Sequence, residues 1–409
     1  MIDAIDFKLT GNNGKYVKIA LNGKNLIITG ANGCGKTRLL LQLHGRLLSV
    51  FDRDIHKTMD IQNQLDYLES KIVNFQPSDP VYNQYKVQIQ NLRESLASAD
   101  REKLFFRDLD SLFLLMDEKK FLLRFYEANR LTDNIGGTGH VVSLSSVKQN
   151  AKNFSYRENL SHEFENYLVS LYNYASHVIA REENLGKVQY INEWFDKVQN
   201  DLCSLFEDPG LRLKYNPEEQ TFYIHQNGKD PYRFNNLSSG YGSIIAIYAD
   251  LLMSVELHDL SAHEITGIVL IDEIDAHLHV SIQRKIFAFF NRAFPKIQFI
   301  ITTHSPFVVQ SVNDAIIYDL GSSETLEDLS MYSYNSILKG LLGVDSTSDV
   351  LIEKLIEMAN IVKQKNLDEA RLKELVNLIY PHFNELDSRS KAFFLQGKNK
   401  LLDASDGAE

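Results

Sequence analysis

The chain has 409 residues, 44% of them hydrophobic and 24% charged, which is the composition of a globular protein with core for two or more domains. Its net charge is −11, which makes for a poor autonomous, non-specific DNA binder, since that needs clustered Lys and Arg to neutralise phosphates, and leaves open a local basic groove or one made by a partner. Only two cysteines occur, Cys34 and Cys203, so a disulfide framework is excluded and a reducing cytoplasm fits.

No apolar run reaches bilayer-spanning length, and the start, Met1-Ile2-Asp3-Ala4, lacks the blocks of a secretion signal. Ile5, Phe7 and Leu9, then Tyr16 to Leu21, alternate with polar residues around the turn signals Gly11-Asn12-Asn13-Gly14 and Asn22-Gly23. This predicts a small meander leading into a buried strand, Asn25 to Thr29. Lys15 and Lys18 near its first turn are expected to be solvated.

Then comes Gly30-Ala31-Asn32-Gly33-Cys34-Gly35-Lys36-Thr37, followed by Arg38 to Val50 with leucines at buried-face spacing. Strand, G-x-x-x-x-G-K-T and helix predict a phosphate-binding loop. Glycines let backbone N–H groups turn inward, and the helix start adds partial positive charge. Asn32, Gly33, Cys34, Gly35 and Arg38 would frame the phosphates. Lys36 would reach the β- and γ-phosphates, and Thr37 would offer its hydroxyl to Mg²⁺.

Ile61, Leu65, Leu68 and Ile72 are spaced four, three, four, and Tyr85, Ile89, Leu92 and Leu96 repeat it around Gln76-Pro77-Ser78-Asp79-Pro80. That predicts a protruding antiparallel helical hairpin with coiled-coil packing, each arm about 30 Å long. Residues 104–116 read as a further helix and Phe121 to Tyr126 as a strand returning to the core. Gly136-Gly137-Thr138-Gly139 opens no helix and reads as a flexible connection. Residues 158–207 are helical in pattern, with Trp194 as a core anchor, and Leu211 to Tyr215 with Thr221 to His225 as a hairpin.

The second half carries three further pieces. Leu237-Ser238-Ser239-Gly240-Tyr241-Gly242 opens a helix from Ser243 to Leu257, and its hydroxyls and N–H groups suit an anion. Gly267 to Ile271 is a buried strand ending in Asp272 and Glu273; Asp272 can hold Mg²⁺, and Glu273 can polarise an attacking water as general base. Phe299 to Thr303 ends in His304, which can donate to the γ-phosphate. The tail shows helix patterns at Val350 to Lys363, Asp368 to Ile379 and Ser388 to Leu402.

These pieces, in this order, resemble the ATP-binding cassette ATPases, and within them the SMC- and RecF-like heads. The signature has Ser239 where the family more often has glycine. Asp272-Glu273-Ile274-Asp275-Ala276-His277-Leu278-His279 is similar to the form in bacterial defence ATPases of the overcoming-lysogenisation-defect, Septu and retron-associated types. The resemblance implies an α/β ABC-type P-loop head with a hairpin insertion and a helical tail. Its parts would be 1–50 with the P-loop, 51–118 the hairpin, 119–235 strand and helices, 236–320 signature and acids, and 321–409 a helical region that is an interaction surface or simply a helical cap on the core. It implies ATP and Mg²⁺ held between two head-to-head copies, with Ser238, Ser239 and Gly240 acting in trans. His277 and His279 would lie in the loop facing the partner copy's nucleotide, in preference to a zinc site. The family's inter-lobe glutamine has no obvious counterpart. No spaced D-x-D follows the ATPase, so no nuclease is expected in this chain. The Septu-like reading implies a cytoplasmic subunit with a separate HNH nuclease, and in a retron also a reverse transcriptase with its RNA–DNA hybrid. DNA would be met through the partner, and no membrane. A RecF-like DNA-repair ATPase, or a transporter nucleotide-binding subunit, are the alternatives.

Overall fold

The computed structural model describes residues 1–9, 14–52, 55–77, 79–129, 135, 142–151, 155–181, 185–327, 329, 337, 348–364, 368–386 and 388–406. The Gly136–Gly139 connection expected from sequence lies outside the described residues. The chain divides into two compact units, Met1–Tyr334 and Asn335–Glu409.

The larger unit is built on a six-stranded sheet. Its strands are β3 (Asn25–Thr29), β5 (Phe121–Tyr126), β8 (Thr266–Ile271), β9 (Ile297–Thr302), β10 (Ala315–Asp319) and β11 (Glu324–Glu327), in the order β11-β10-β3-β9-β8-β5. All neighbours are parallel except the edge strand β11. Strands β3, β9 and β10 are buried at every position, as parallel strands covered on both faces must be. Helix α1 (Lys36–Phe51) lays Leu39, Leu40, Leu43 and Leu47, all fully buried, on this sheet. In open sheets of this kind ligands sit at the carboxyl ends of the strands, and here β3, β9 and β8 are adjacent.

A second sheet, β2-β1-β4, is antiparallel: β1 (Ile2–Lys8), β2 (Tyr16–Ala20) and β4 (Glu102–Phe106). It adds Ile2, Ile5, Phe7, Val17 and Ile19 to the core over α1. Buried Gln298 of β9 joins the sheets: its Oε1 accepts the Ile2 N–H at 2.8 Å, and its Nε2 donates to Lys24 O at 2.7 Å.

Strand β4 corrects the helix expected over 104–116. Leu104 and Phe106 pack toward the core while Phe105 is half exposed, a period of two that fits the free edge of β1. The helix α4 is confined to Leu109–Asp117, and Asp108 caps it by accepting the Ser111 N–H at 2.9 Å.

Between α1 and β4 lie α2 (Ile55–Ile72) and α3 (Pro80–Arg101). Leu65 and Ile89 are buried, Arg93 bonds Glu69 at 2.7 Å, and Phe75 meets Tyr85 edge-on. A helical block follows: α5 (Leu144–Ala151), α6 (Phe164–Arg181) and α7 (Leu185–Leu205), then the hairpin β6 (Arg212–Asn216) and β7 (Thr221–His225). Trp194 is buried between Tyr167 and Phe195. Helix α8 (Ser239–Glu256) is buried almost all round. It begins four residues earlier than expected, so Ser239 to Gly242 form its first turn. Short helices α9 (Val280–Gln283), α10 (Ile286–Ala293) and α11 (Pro306–Gln310) complete the unit.

β10 and β11 had no reading as strands, and β11 falls where the helical tail was expected to begin. Lys15, expected to be solvated, donates to the carbonyls of Leu320 and Gly321 in the turn between them.

The smaller unit packs α12 (Asp349–Lys363), α13 (Glu369–Ile379) and α14 (Ser388–Asp406) around Leu355, Met358, Leu372, Leu375 and Phe394. Ser348 and Asp368 cap the first two, accepting from Leu351 and Arg371 N–H. Arg371 Nε bonds Glu357 at 2.6 Å across them.

Candidate active site

The glycine loop leaves β3 and turns into α1. Gly30, Gly33 and Gly35 have φ of 137°, 76° and 105°, conformations that a side chain resists. Around Gly33 nothing lies within 4 Å of where a Cβ would stand, so the loop is open on that side. Gly30 is hemmed in instead, with Asp319 Oδ1 3.0 Å and Gly321 N 3.1 Å from its Cβ position. Asp319 accepts the Gly321 N–H at 2.8 Å, and Leu320 N–H bonds Thr29 O at 2.8 Å. The β10–β11 turn, held by Lys15, thus buttresses the loop from behind. Lys36 is 6% exposed and its ammonium donates to Gly30 O at 3.0 Å and Ala31 O at 3.2 Å. Asn32, Thr37 and Arg38 are exposed at the same helix start, and Cys34 Sγ is 3.9 Å from Lys36 Nζ.

Two strands away, β8 ends in Asp272, 3% exposed, and half-buried Glu273. Fully buried Thr302, the last residue of β9, serves both. Its hydroxyl donates to Asp272 Oδ1 at 2.5 Å and accepts the Glu273 N–H at 2.7 Å. Glu273 has φ 46° and His277 φ 61°, left-handed values that cost a non-glycine residue energy unless its surroundings hold it. Thr303 Oγ1 bonds Asp275 Oδ1 at 2.5 Å, and Leu278 N–H bonds Asp275 O at 3.1 Å. His279 caps α9, accepting from the Ser281 N–H through Nδ1 at 3.4 Å. Gln283 Nε2 donates to Leu278 O at 2.8 Å and its Oε1 accepts from Ser305 Oγ at 2.7 Å. Thr302, Thr303 and Gln283 were missed as site residues; the one signal available was a threonine pair closing an apolar strand.

His304 follows β9. Its pKa is lowered by burial first and by the Lys36 ammonium second, against the opposite pull of Asp275, Glu273 and Asp272. The imidazole therefore sits within electrostatic reach of both the loop lysine and the acids. Strand β5 brings a third edge, since Tyr126 O accepts the Asp272 N–H at 2.8 Å. Residues 127–129 follow that strand end.

The signature lies against the acid turn. Ser238 and Ser239 are exposed, while Gly240 is buried with His277 O 2.4 Å from its Cβ position. Only glycine permits that approach. Ser243 Oγ bonds Ser239 O at 2.8 Å within the first turn.

Hard oxygen donors at Asp272 and Thr37, an ammonium at Lys36 and an open glycine loop fit a triphosphate with a divalent cation. Residues 26–310, well over half the chain, match the family model described as "AAA domain, putative AbiEii toxin, Type IV TA system". The chain belongs to this family. It is also similar to the Septu protein PtuA of Bacillus thuringiensis, 26% identical over 63% of this chain and 72% of that protein. PtuA of Bacillus mycoides is 36% identical over 33% of this chain, and the match spans only 19% of that protein. The "Retron Ec83 probable ATPase" of Escherichia coli is 33% identical over 35% of this chain and 25% of its own length. The chain thus resembles the ATPases of Septu and retron defence systems. Among solved structures it is similar to an SMC head bound to the C-winged helix domain of ScpA, at 15% identity, 80% of this chain, 98% of that chain and TM-score 0.35. A nucleotide-free ATP-binding cassette from an ABC transporter gives 10%, 84%, 96% and 0.36. No helix among the described residues is long and apolar enough to cross a membrane.

Proposed function

We propose that this chain binds and slowly hydrolyses Mg-ATP between two head-to-head copies, and that its nucleotide state controls a separate nuclease in antiphage defence. The convergence of the glycine loop, Lys36, Asp272, Glu273 and His304 at the carboxyl ends of β3, β8 and β9 carries this reading. The Septu and retron relatives support the biological setting.

In this reading the N–H groups from Asn32 to Arg38 and the Lys36 ammonium hold the β- and γ-phosphates. Thr37 and Asp272 hold the magnesium ion, which neutralises phosphate charge. Glu273 takes the proton of the attacking water as general base, and His304 donates a hydrogen bond to the γ-phosphate side. Ser238, Ser239 and Gly240 close the second copy's site, so hydrolysis requires two copies. The effector is an HNH-type nuclease on another chain, joined in a retron by a reverse transcriptase and its RNA–DNA hybrid. Residues 321–409 are its docking region, and DNA is reached through the effector.

Glu273→Gln tests the core of this. It should bind Mg-ATP, lose hydrolysis, and run as a stable dimer by light scattering with ATP, whereas Lys36→Ala should stay monomeric. A Glu273→Gln variant hydrolysing at the wild-type rate would overturn the base assignment. Failure of an HNH protein encoded beside this chain to co-purify with it would remove the effector reading.

A further inference from the structure

The part of the fold that the proposed chemistry leaves unused is a buried polar network between β5 and α8. Asp250, fully buried in the middle of the signature helix, accepts from Arg124 Nε at 2.9 Å, from Tyr126 OH at 2.5 Å and from the Leu160 N–H at 2.8 Å. Arg124, also buried, donates onward to Ser254 Oγ at 3.0 Å and to the carbonyls of Leu123 and Tyr156. The charges are thus paired and hydrogen-bonded, as buried ions must be. A buried pair of this kind is weak evidence for added stability and better evidence for a fixed geometry.

Tyr126 is where that geometry meets the acids. Its hydroxyl holds the signature helix through Asp250, and its backbone carbonyl holds the Asp272 N–H at 2.8 Å. One residue therefore grips both the magnesium-side acid of one site and the helix that begins at the signature, with Ser238 as its N-cap and Ser239 and Gly240 in its first turn. We infer that Tyr126 is a positioning residue that couples the acid pair of one nucleotide site to the signature this chain presents to the other copy. This rests on the two-copy reading above.

The matched comparison is Tyr126→Phe against Tyr248→Phe in the full chain. Both remove one buried hydroxyl bonded to a carboxylate on or against α8; Tyr248 OH bonds Asp201 of α7 at 2.7 Å, away from the acids. Asp250 keeps Arg124 and the Leu160 N–H in the first variant, so folding is preserved. Turnover, Hill coefficient for ATP and specific activity against protein concentration are measured for each. Nucleotide affinity is measured separately, in the Glu273→Gln background. Tyr126→Phe should lose at least fivefold in kcat and fall toward a Hill coefficient of one, with affinity within twofold. Tyr248→Phe should keep both kinetic values. Equal losses in the two variants, or a Tyr126→Phe kcat and Hill coefficient equal to wild type, overturn the coupling. Wild-type specific activity independent of protein concentration overturns the two-copy reading itself, and the coupling with it.

Discussion

Thr302 offers the sharpest test of how the acid pair is held. Thr302→Val keeps the β-branched shape and deletes the hydroxyl that donates to Asp272 and accepts from the Glu273 N–H. A hydrogen bond to a charged group is worth about 1.5–3 kcal/mol, and a buried N–H left without a partner costs about 1–3 kcal/mol. Glu273 is only half-buried, so water relieves part of the second cost. Near the low ends the two sum to about 3 kcal/mol. Spread over the unit Met1–Tyr334, at about 2.1 cal/mol/K per residue of unfolding entropy, that lowers the melting temperature by roughly 4 °C. The effect on turnover should be larger. Glu273 sits at φ 46° and loses the bond that fixes it, so its carboxylate moves on the order of 1 Å, a misplacement that costs about 10²-fold. Thr302→Ser keeps the hydroxyl and should stay within about threefold of wild type on the same scale. Scanning fluorimetry and a coupled phosphate-release assay read both quantities. A Val variant with wild-type melting and turnover would refute the claim that this hydroxyl organises the acids.

Three further outcomes follow from the same geometry. Gly240→Ala places a methyl 2.4 Å from His277 O, so the signature or the acid turn must shift; the cost is about 1–3 kcal/mol, and hydrolysis should fall more than nucleotide affinity, measured by titration and turnover together. Lys36→Ala removes the ammonium that rests on the carbonyls of Gly30 and Ala31, and calorimetry should show Mg-ATP affinity reduced by about 10- to 10²-fold, the worth of one charge-assisted bond. His304 has its pKa lowered in the folded chain, so the unfolded chain takes up the proton first. The stability it contributes is present above the ordinary imidazole value and is lost as pH falls through the lowered one. Between about pH 7.5 and about pH 5.5 the wild type should lose more melting temperature than His304→Asn; equal losses would show that another group carries the dependence.

The glycine loop, the strand before the acids and the strand before His304 were legible because each is a contiguous pattern: an apolar run, a breaker, a charge. The first helix and the β6–β7 hairpin were legible for the same reason, through leucine spacing and Asn216-Pro217. Strand β4 was misread because Leu104, Phe105 and Phe106 are apolar in a row, and a short apolar run does not choose between periods until a free sheet edge selects one. Strand β10 was not read because nothing local marks Ala315 to Asp319 as the neighbour of β3. The bonds of Lys15 to Leu320 and Gly321, of Gln298 to Ile2 and of Arg124 to Asp250 join residues more than a hundred positions apart, and no window along the chain contains both partners.

That division has a physical consequence for the site. What the sequence states locally is the glycine loop, the acid pair and the histidine at the strand end, where the proposed chemistry would grip phosphate, magnesium and water. What it states only through distant pairs is how rigidly those grips are held relative to one another. The strained backbone values fall in the second class: Glu273 and His277 are left-handed non-glycine residues within one turn of chain, each costing on the order of 1 kcal/mol or more. Thr302 holds the first through its hydroxyl, and the second lies under Gly240 of the signature helix. Strain that persists must be outweighed by its surroundings, and here those surroundings are β9 on one side and helix α8 on the other. An acid turn held from both sides cannot move without moving one of them. That is the property which the proposed two-copy hydrolysis would require.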